Sequence, residues 1–118
     1  MQLPVRDPAY LYDMARAAEK VARYVHGRTL EHYCADELLR DAVTRNIEII
    51  GEAARRISQP FKDAHPEIPW RRIIAQRNVL VHEYDAVSDQ ELWEVATVHL
   101  PRLLAAIVPL IPTTLPAN

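Results

Sequence analysis

Four residues in one short run carry the side chains best suited to chemistry: Arg77, Asn78, His82 and Tyr84. Read as a helix with Arg77 at 0°, the run places Trp70 at about +20°, Ile73 at about −40°, Ile74 at about +60°, Leu80 at about −60° and Val81 at about +40°. Arg77 thus falls in the middle of an apolar stripe, where an arginine needs a partner or a hydrated cleft. Asn78 and His82, at about +100° and +140°, stack one turn apart on one flank, and Tyr84 at about −20° is expected two turns beyond Arg77 on the central line. An imidazole titrates near neutrality and can take a proton from a ribose 2′-hydroxyl or give one to a leaving oxygen. A guanidinium matches the anionic oxygens of a pentacovalent phosphorus with two parallel bonds. An amide can orient either group, and a phenol can donate a hydrogen bond or stack on a base. Such a set suits metal-free cleavage of a phosphodiester. One histidine cannot be acid and base on opposite sides of the phosphorus, so the chemistry asks for a second copy of the helix across a twofold axis. A plainer reading stands beside this one, in which Arg77 snorkels to a rim and His82 is an ordinary flank residue.

The elements that must position these residues are all helical. Asp7-Pro8 reads as an N-cap followed by proline at the first helical position, and Gly27 as a left-handed stop, giving a helix near 8–26. Thr29–Ala35 reads as a short capped connector. A longer helix follows from Asp36 to about Ser58, with Leu39, Val43, Ile50, Ala53 and Ile57 on one stripe. Gln59–Pro69, with three prolines, reads as loop with one turn near Phe61–Ala64. Ile68-Pro69-Trp70 opens the helix of the chemical run, expected to reach Tyr84. Ser88 and Glu91 have capping-box spacing, and a last helix to about Ile111 should be bent by Pro101. The predicted fold is an all-α antiparallel up-down bundle of four main helices with one or two short turns. It forms one domain, residues 1–112, with 113–118 as a frayed tail.

Composition agrees. A chain of 118 residues that is 49% apolar has a core to bury, whereas two glycines are too few for the turns of a sandwich or barrel. A single cysteine excludes an intrachain disulfide framework. The longest apolar run, Leu103–Ile111, is interrupted by Pro109 and is too short to span a bilayer, and Met1–Arg6 lacks the apolar core of a secretory leader. The expectation is a cytoplasmic protein without membrane contact. A net charge of −2 argues against binding nucleic acid through bulk charge, although Arg71, Arg72 and Arg77 form a local basic strip with no acid before Val81.

Other polar residues have readings of their own. Asn46 falls near the centre of an apolar stripe, where its amide must be paired; it either supports the motif helix and the RNA site or bonds a neighbouring backbone. Gly51, costly inside a helix, points to close approach of another helix. Glu48 and Glu52 have metal-ligand spacing, but Glu52 also pairs with Arg56 at i+4, and a solvated face is the reading adopted. His99 reads as a core or interface histidine, Cys34 as buried, and Trp70 and Trp93 as packing anchors. No metal and no cofactor is expected.

Arg77-Asn78-Val79-Leu80-Val81-His82-Glu83-Tyr84 resembles the R-N-x-x-x-H-x-Y form of the R-x4-6-H motif of the HEPN superfamily, and in particular the HepT-type toxins of HepT–MntA toxin–antitoxin systems. Asn46-Ile47-Glu48-Ile49-Ile50-Gly51-Glu52-Ala53 is similar to the family's second-helix block, and Pro66-Glu67-Ile68-Pro69-Trp70 to the run that opens its motif helix. Leu92-Trp93 follows where the last long helix of the family begins. The resemblance implies an all-α homodimer with paired motifs facing a cleft, and a metal-independent RNase. Within it Arg77 and His82 are the catalytic pair, Asn78 the polar residue that follows the motif arginine, and Tyr84 the tyrosine that a minimal nucleotidyltransferase antitoxin modifies with AMP in some members. A different class of function stays open beside it: a non-catalytic partner of such a nucleotidyltransferase, whose cleft binds a nucleotide.

Overall fold

A computed structural model describes residues 6–112; the expected frayed tail, 113–118, lies outside the described residues. The chain runs α1 (Asp7–Val25), α2 (Leu30–Ala35), α3 (Glu37–Arg56), α4 (Gln59–Ala64) and α5 (Trp70–His82), then a 3-10 turn at Tyr84–Ala86. The last rod is continuous: α6 (Asp89–Glu94), a π turn (Val95–His99) and α7 (Leu100–Ile107), closed by a 3-10 turn at Val108–Leu110. No strand occurs among the described residues. The all-α expectation holds, with α1, α3, α5 and the last rod as the four main helices. Short helical pieces exceed the one or two expected, because α2, α4 and both 3-10 turns are all formed.

The stripes read from the sequence become the core. Leu11, Met14 and Val21 of α1 are buried against Val43 and Ile50 of α3 and Leu92 and Ile107 of the last rod. α1 packs on both α3 and the last rod, whereas α5 joins the bundle chiefly through α3. Asp89–Leu110 has the length and apolarity of a membrane-crossing helix, with a mean hydropathy of 1.2 in its most apolar stretch. Here its apolar face, including Leu92, Ala96, Leu103 and Ile107, is buried in the bundle.

Local signals are met with instructive departures. Gly27 takes φ 73°, the left-handed stop expected after α1. Asp36 caps α3 by accepting from the Leu39 N–H at 3.0 Å, and Thr29 and His32 form a reciprocal capping box at α2. Asp7, expected to cap α1, is instead its first residue. Its carboxylate accepts from the Ser58 backbone N–H at 2.9 Å and the Ser58 hydroxyl at 2.6 Å, tying the start of α1 to the α3–α4 junction. A pair of ordered protein donors displaces a cap whose donors water can serve equally well. Ser88 caps α6, but Glu91 accepts from the Ser88 hydroxyl rather than from its backbone, so only half of the expected box forms. Pro101 lacks the N–H that would reach Thr97, and the preceding turn widens: the Leu100 N–H bonds five residues back to Val95. Cys34, read as buried, is exposed, since α2 turns its Tyr33 side inward instead.

Tyr33 is completely buried beside Trp93, ring centroids 5.4 Å apart, and no described protein group bonds its hydroxyl. Burial, aided by the Asp89 carboxylate, pushes the phenol up to about 12 from its ordinary value of 10.0. The unfolded chain therefore releases this proton first, so the contribution of Tyr33 to stability is complete below pH 10 and is lost as pH rises towards 12. Tyr33→Phe should melt no lower than wild type at pH 7, because an unpartnered buried hydroxyl costs about 1–3 kcal/mol. It should also lose less stability than wild type between pH 10 and pH 11. Thermal melts across that range check both outcomes.

Candidate functional site

The site is built where α5 crosses α3, and Gly51 sets the distance. A Cβ at Gly51 would stand 2.1 Å from the Cβ of Arg77, 2.8 Å from its Cγ and 3.2 Å from the carbonyl oxygen of Ile73. Only a hydrogen fits between α3 and the stem of Arg77. The arginine lies over the glycine with 24% of its side chain exposed, and its Nη2 pairs with Glu52 Oε1 at 3.2 Å. Its Nη1 donates to Asn78 Oδ1 at 3.0 Å. Arg77 therefore has both the partner and the hydrated rim that its place on an apolar stripe demands.

Glu52 is the residue that sequence reasoning undervalued. Besides its ion pair with Arg77 it accepts two hydrogen bonds from Arg55, at 3.2 and 2.8 Å, and one from Arg56 Nε at 2.8 Å. These hydrogen bonds, from Arg55 first and then Arg56, hold its carboxyl at about 2, against an ordinary 4.5. Three guanidiniums around one carboxylate leave a local positive excess in a chain whose net charge is −2. The i+4 partner Arg56 was legible; the pairing with Arg77 crosses between helices. Glu48 pairs with Arg45 at 3.8 Å, so both carboxylates of this helix face are engaged by arginines.

The remaining predicted residues are placed differently. His82 is the last residue of α5 and is exposed, with no side-chain hydrogen bond or ion pair among the described residues. Five residues from Arg77, it lies about 140° around the helix and about 7.5 Å along it, so the two side chains face different directions. Asn78, exposed, lies between them in angle and touches Arg77. Tyr84 departs from its expected place on the central line of α5. The helix stops at His82, Glu83 takes φ −142° and ψ 52°, and Tyr84 opens the 3-10 turn with 45% of its surface exposed. The few residues before the Ser88 cap must reverse the chain, and continued helix would carry it the wrong way. Asn46, read as either a support of the RNA site or a donor to a neighbouring backbone, is only 6% exposed and donates to the Ala42 carbonyl of its own helix at 2.8 Å, the second of these readings. It is a paired core amide.

The basic strip also divides. Arg71 lies on the same flank of α5 as Asn78 and His82, while Arg72 borders a groove between α5 and the last rod, floored by Ile47, Ile50 and Leu103. His99, half-buried, borders that groove. On the other side of α3, a second groove of about 320 Å³ is bounded by Tyr10, Arg45, Glu52, Arg56, Arg77 and Val81. The start of α5 is anchored by Trp70, whose Nε1 donates to the His65 carbonyl at 3.0 Å and whose ring meets Phe61 edge-on.

Comparison with known proteins settles the family. The sequence profile described as "Ribonuclease HepT-like" matches residues 14–110. The chain belongs to this family. A relative named "Probable ribonuclease HepT", from Thermococcus cleftensis, is 38% identical over 94 residues, 80% of this chain and 86% of the relative. Another, named "Putative RNase MJ1380", from Methanocaldococcus jannaschii, is 32% identical over 95 residues, 80% of this chain and 87% of the relative. No solved structure matches the chain. Every element of this HepT-like chain that builds the α3–α5 crossing lies inside the matched span.

Gly51→Ala tests the crossing. The added methyl overlaps the Arg77 stem and α5 must move away, so the variant should lose about 1–3 kcal/mol of stability, the usual cost of overpacking. Denaturant unfolding measures it; an unchanged midpoint would contradict the close approach.

Proposed function

We propose that this HepT-like protein is an endoribonuclease that cleaves RNA by attack of a 2′-hydroxyl, needs no metal ion, and works as a homodimer. The observation that carries this reading is the division of labour on α5: Arg77 is clamped over Gly51 by Glu52, whereas His82 projects from the end of the helix on another face. One chain so arranged supplies a charge clamp and one proton carrier. A second copy, facing the first across a twofold axis, supplies the other proton carrier. Val81, 45% exposed beside His82, gives that contact apolar surface to cover.

In the reaction, His82 of one copy takes the proton of the ribose 2′-hydroxyl as the oxygen attacks the adjacent phosphorus. Arg77 bears the charge gathering on the non-bridging oxygens. The bond from phosphorus to the 5′-oxygen breaks, and His82 of the other copy protonates that oxygen. The products are a 2′,3′-cyclic phosphate and a free 5′-hydroxyl. Asn78 braces Arg77, and Arg71, on the flank of His82, meets a neighbouring phosphate.

Biologically the chain acts as the toxin of a toxin–antitoxin pair, restrained by a minimal nucleotidyltransferase that transfers AMP to Tyr84. The exposed phenol, two residues past His82 and off the helix, is open to such an enzyme. Each added phosphate places negative charge and bulk where RNA must lie.

Purified protein should degrade RNA in EDTA, and His82→Ala and Arg77→Ala should each lower the rate by about 10²–10³-fold, His82→Ala with melting temperature unchanged and Arg77→Ala with a modest loss from its missing stem. Mass spectrometry after incubation with the nucleotidyltransferase and ATP should find AMP on wild type and none on Tyr84→Phe. Nucleotide binding without cleavage by wild type would favour the non-catalytic partner reading instead.

A further inference from the structure

We propose that Glu52 is a positioning residue of the ribonuclease site: it fixes the orientation in which Arg77 presents its guanidinium to the scissile phosphate. The inference rests on the reading of Arg77 given above and extends it to a residue on another helix. The guanidinium has five N–H groups. One nitrogen is paired with Glu52 Oε1 at 3.2 Å and another donates to Asn78 Oδ1 at 3.0 Å, so the plane is held from two sides while the rest of the donor edge stays open. The stem cannot swing towards α3, because Gly51 already touches it. Glu52 is itself immobilised. Arg55 grips it with two bonds and Arg56 with a third, on the same turn of the same helix. A carboxylate left to its own rotamers would hold Arg77 loosely; one already fixed by two neighbours orders it with little further entropy.

Charge and geometry make opposite predictions here. Removing a carboxylate from a cluster of arginines makes the surface more positive, so electrostatics alone would bind RNA more tightly and leave catalysis no worse. Loss of orientation instead lowers turnover while binding is kept. Glu52→Ala should therefore reduce kcat about 10–100-fold with KM unchanged or lower, the pattern of a misplaced group whose contact matters in the transition state. Glu52→Gln keeps an acceptor oxygen but loses the charge of the ion pair with Arg77, and should recover only part of the lost turnover. A residue with a merely structural role would change melting temperature and active fraction, and would not be rescued at the level of kcat.

A second readout is independent of activity. The side-chain N–H signals of Arg77, assigned by their loss in Arg77→Ala, should be sharp and protected in wild type, less so in Glu52→Gln, and averaged or exchanged in Glu52→Ala. Wild-type kcat in Glu52→Ala, with Arg77→Ala inactive, would overturn the role of Glu52. Arg77 signals equally ordered in all three chains would overturn it too, even if no RNA is cleaved. Full activity of Arg77→Ala would instead overturn the ribonuclease role of Arg77. If Glu52→Ala fails to fold, Glu52→Ser takes its place on the same two readouts: lowered kcat with averaged Arg77 signals supports the positioning role, and wild-type values of both overturn it.

Discussion

The site depends on how near α5 can come to α3, and a missing side chain sets that distance. Gly51 gives up helix propensity so that the Arg77 stem can lie against the α3 backbone. Every other feature of the site follows from this contact. An arginine that close to a neighbouring helix finds Glu52 one residue along, and pairing with it makes a charge acceptable on what is otherwise the packing face of α5. The bundle thus gains a fixed cation at the edge of its core.

Fixing Arg77 there constrains where the histidine can be. At five residues' separation the helix turns His82 away, onto the exposed end. Within a single chain the pair cannot close on one phosphate with acid, base and charge clamp all present. Two copies can. In the dimer proposed above, the spacing that looks awkward in a monomer becomes useful, because each copy would contribute the face that the other lacks. On the proposed reading the mildly acidic net charge is no obstacle, since RNA would meet the arginines around Glu52 and on α5, not the average of the whole surface.

Much of this was legible in the sequence, for identifiable reasons. Amphipathic periodicity gave α1, α3 and the last helix, because burial of one face is a strong and local signal. Gly27 and Gly51 were each read correctly, as a helix stop and as a close approach. What failed was information carried between elements. Tyr84 has helical spacing from Arg77, and nothing in its own type announces that the chain must turn at Glu83 to meet the Ser88 cap. Asn46 lies on the expected stripe, and of the two readings its polarity allows the structure shows the backbone bond, to Ala42, which any buried helix asparagine can make. Asp7 was read as a cap because its partner Ser58 is 51 residues away. Glu52 was assigned to a solvated face because a wheel drawn for one helix cannot show the residue of another.

The claim that one chain holds half a site is tested most directly with hybrid dimers. Wild type and His82→Ala, carrying different tags, would be co-expressed and the mixed dimer purified through both tags. If acid and base come from opposite copies, the hybrid retains one histidine where two are needed, and its rate should fall close to that of the His82→Ala homodimer. A hybrid with half the wild-type rate would mean that each chain completes its own site, and would contradict the account.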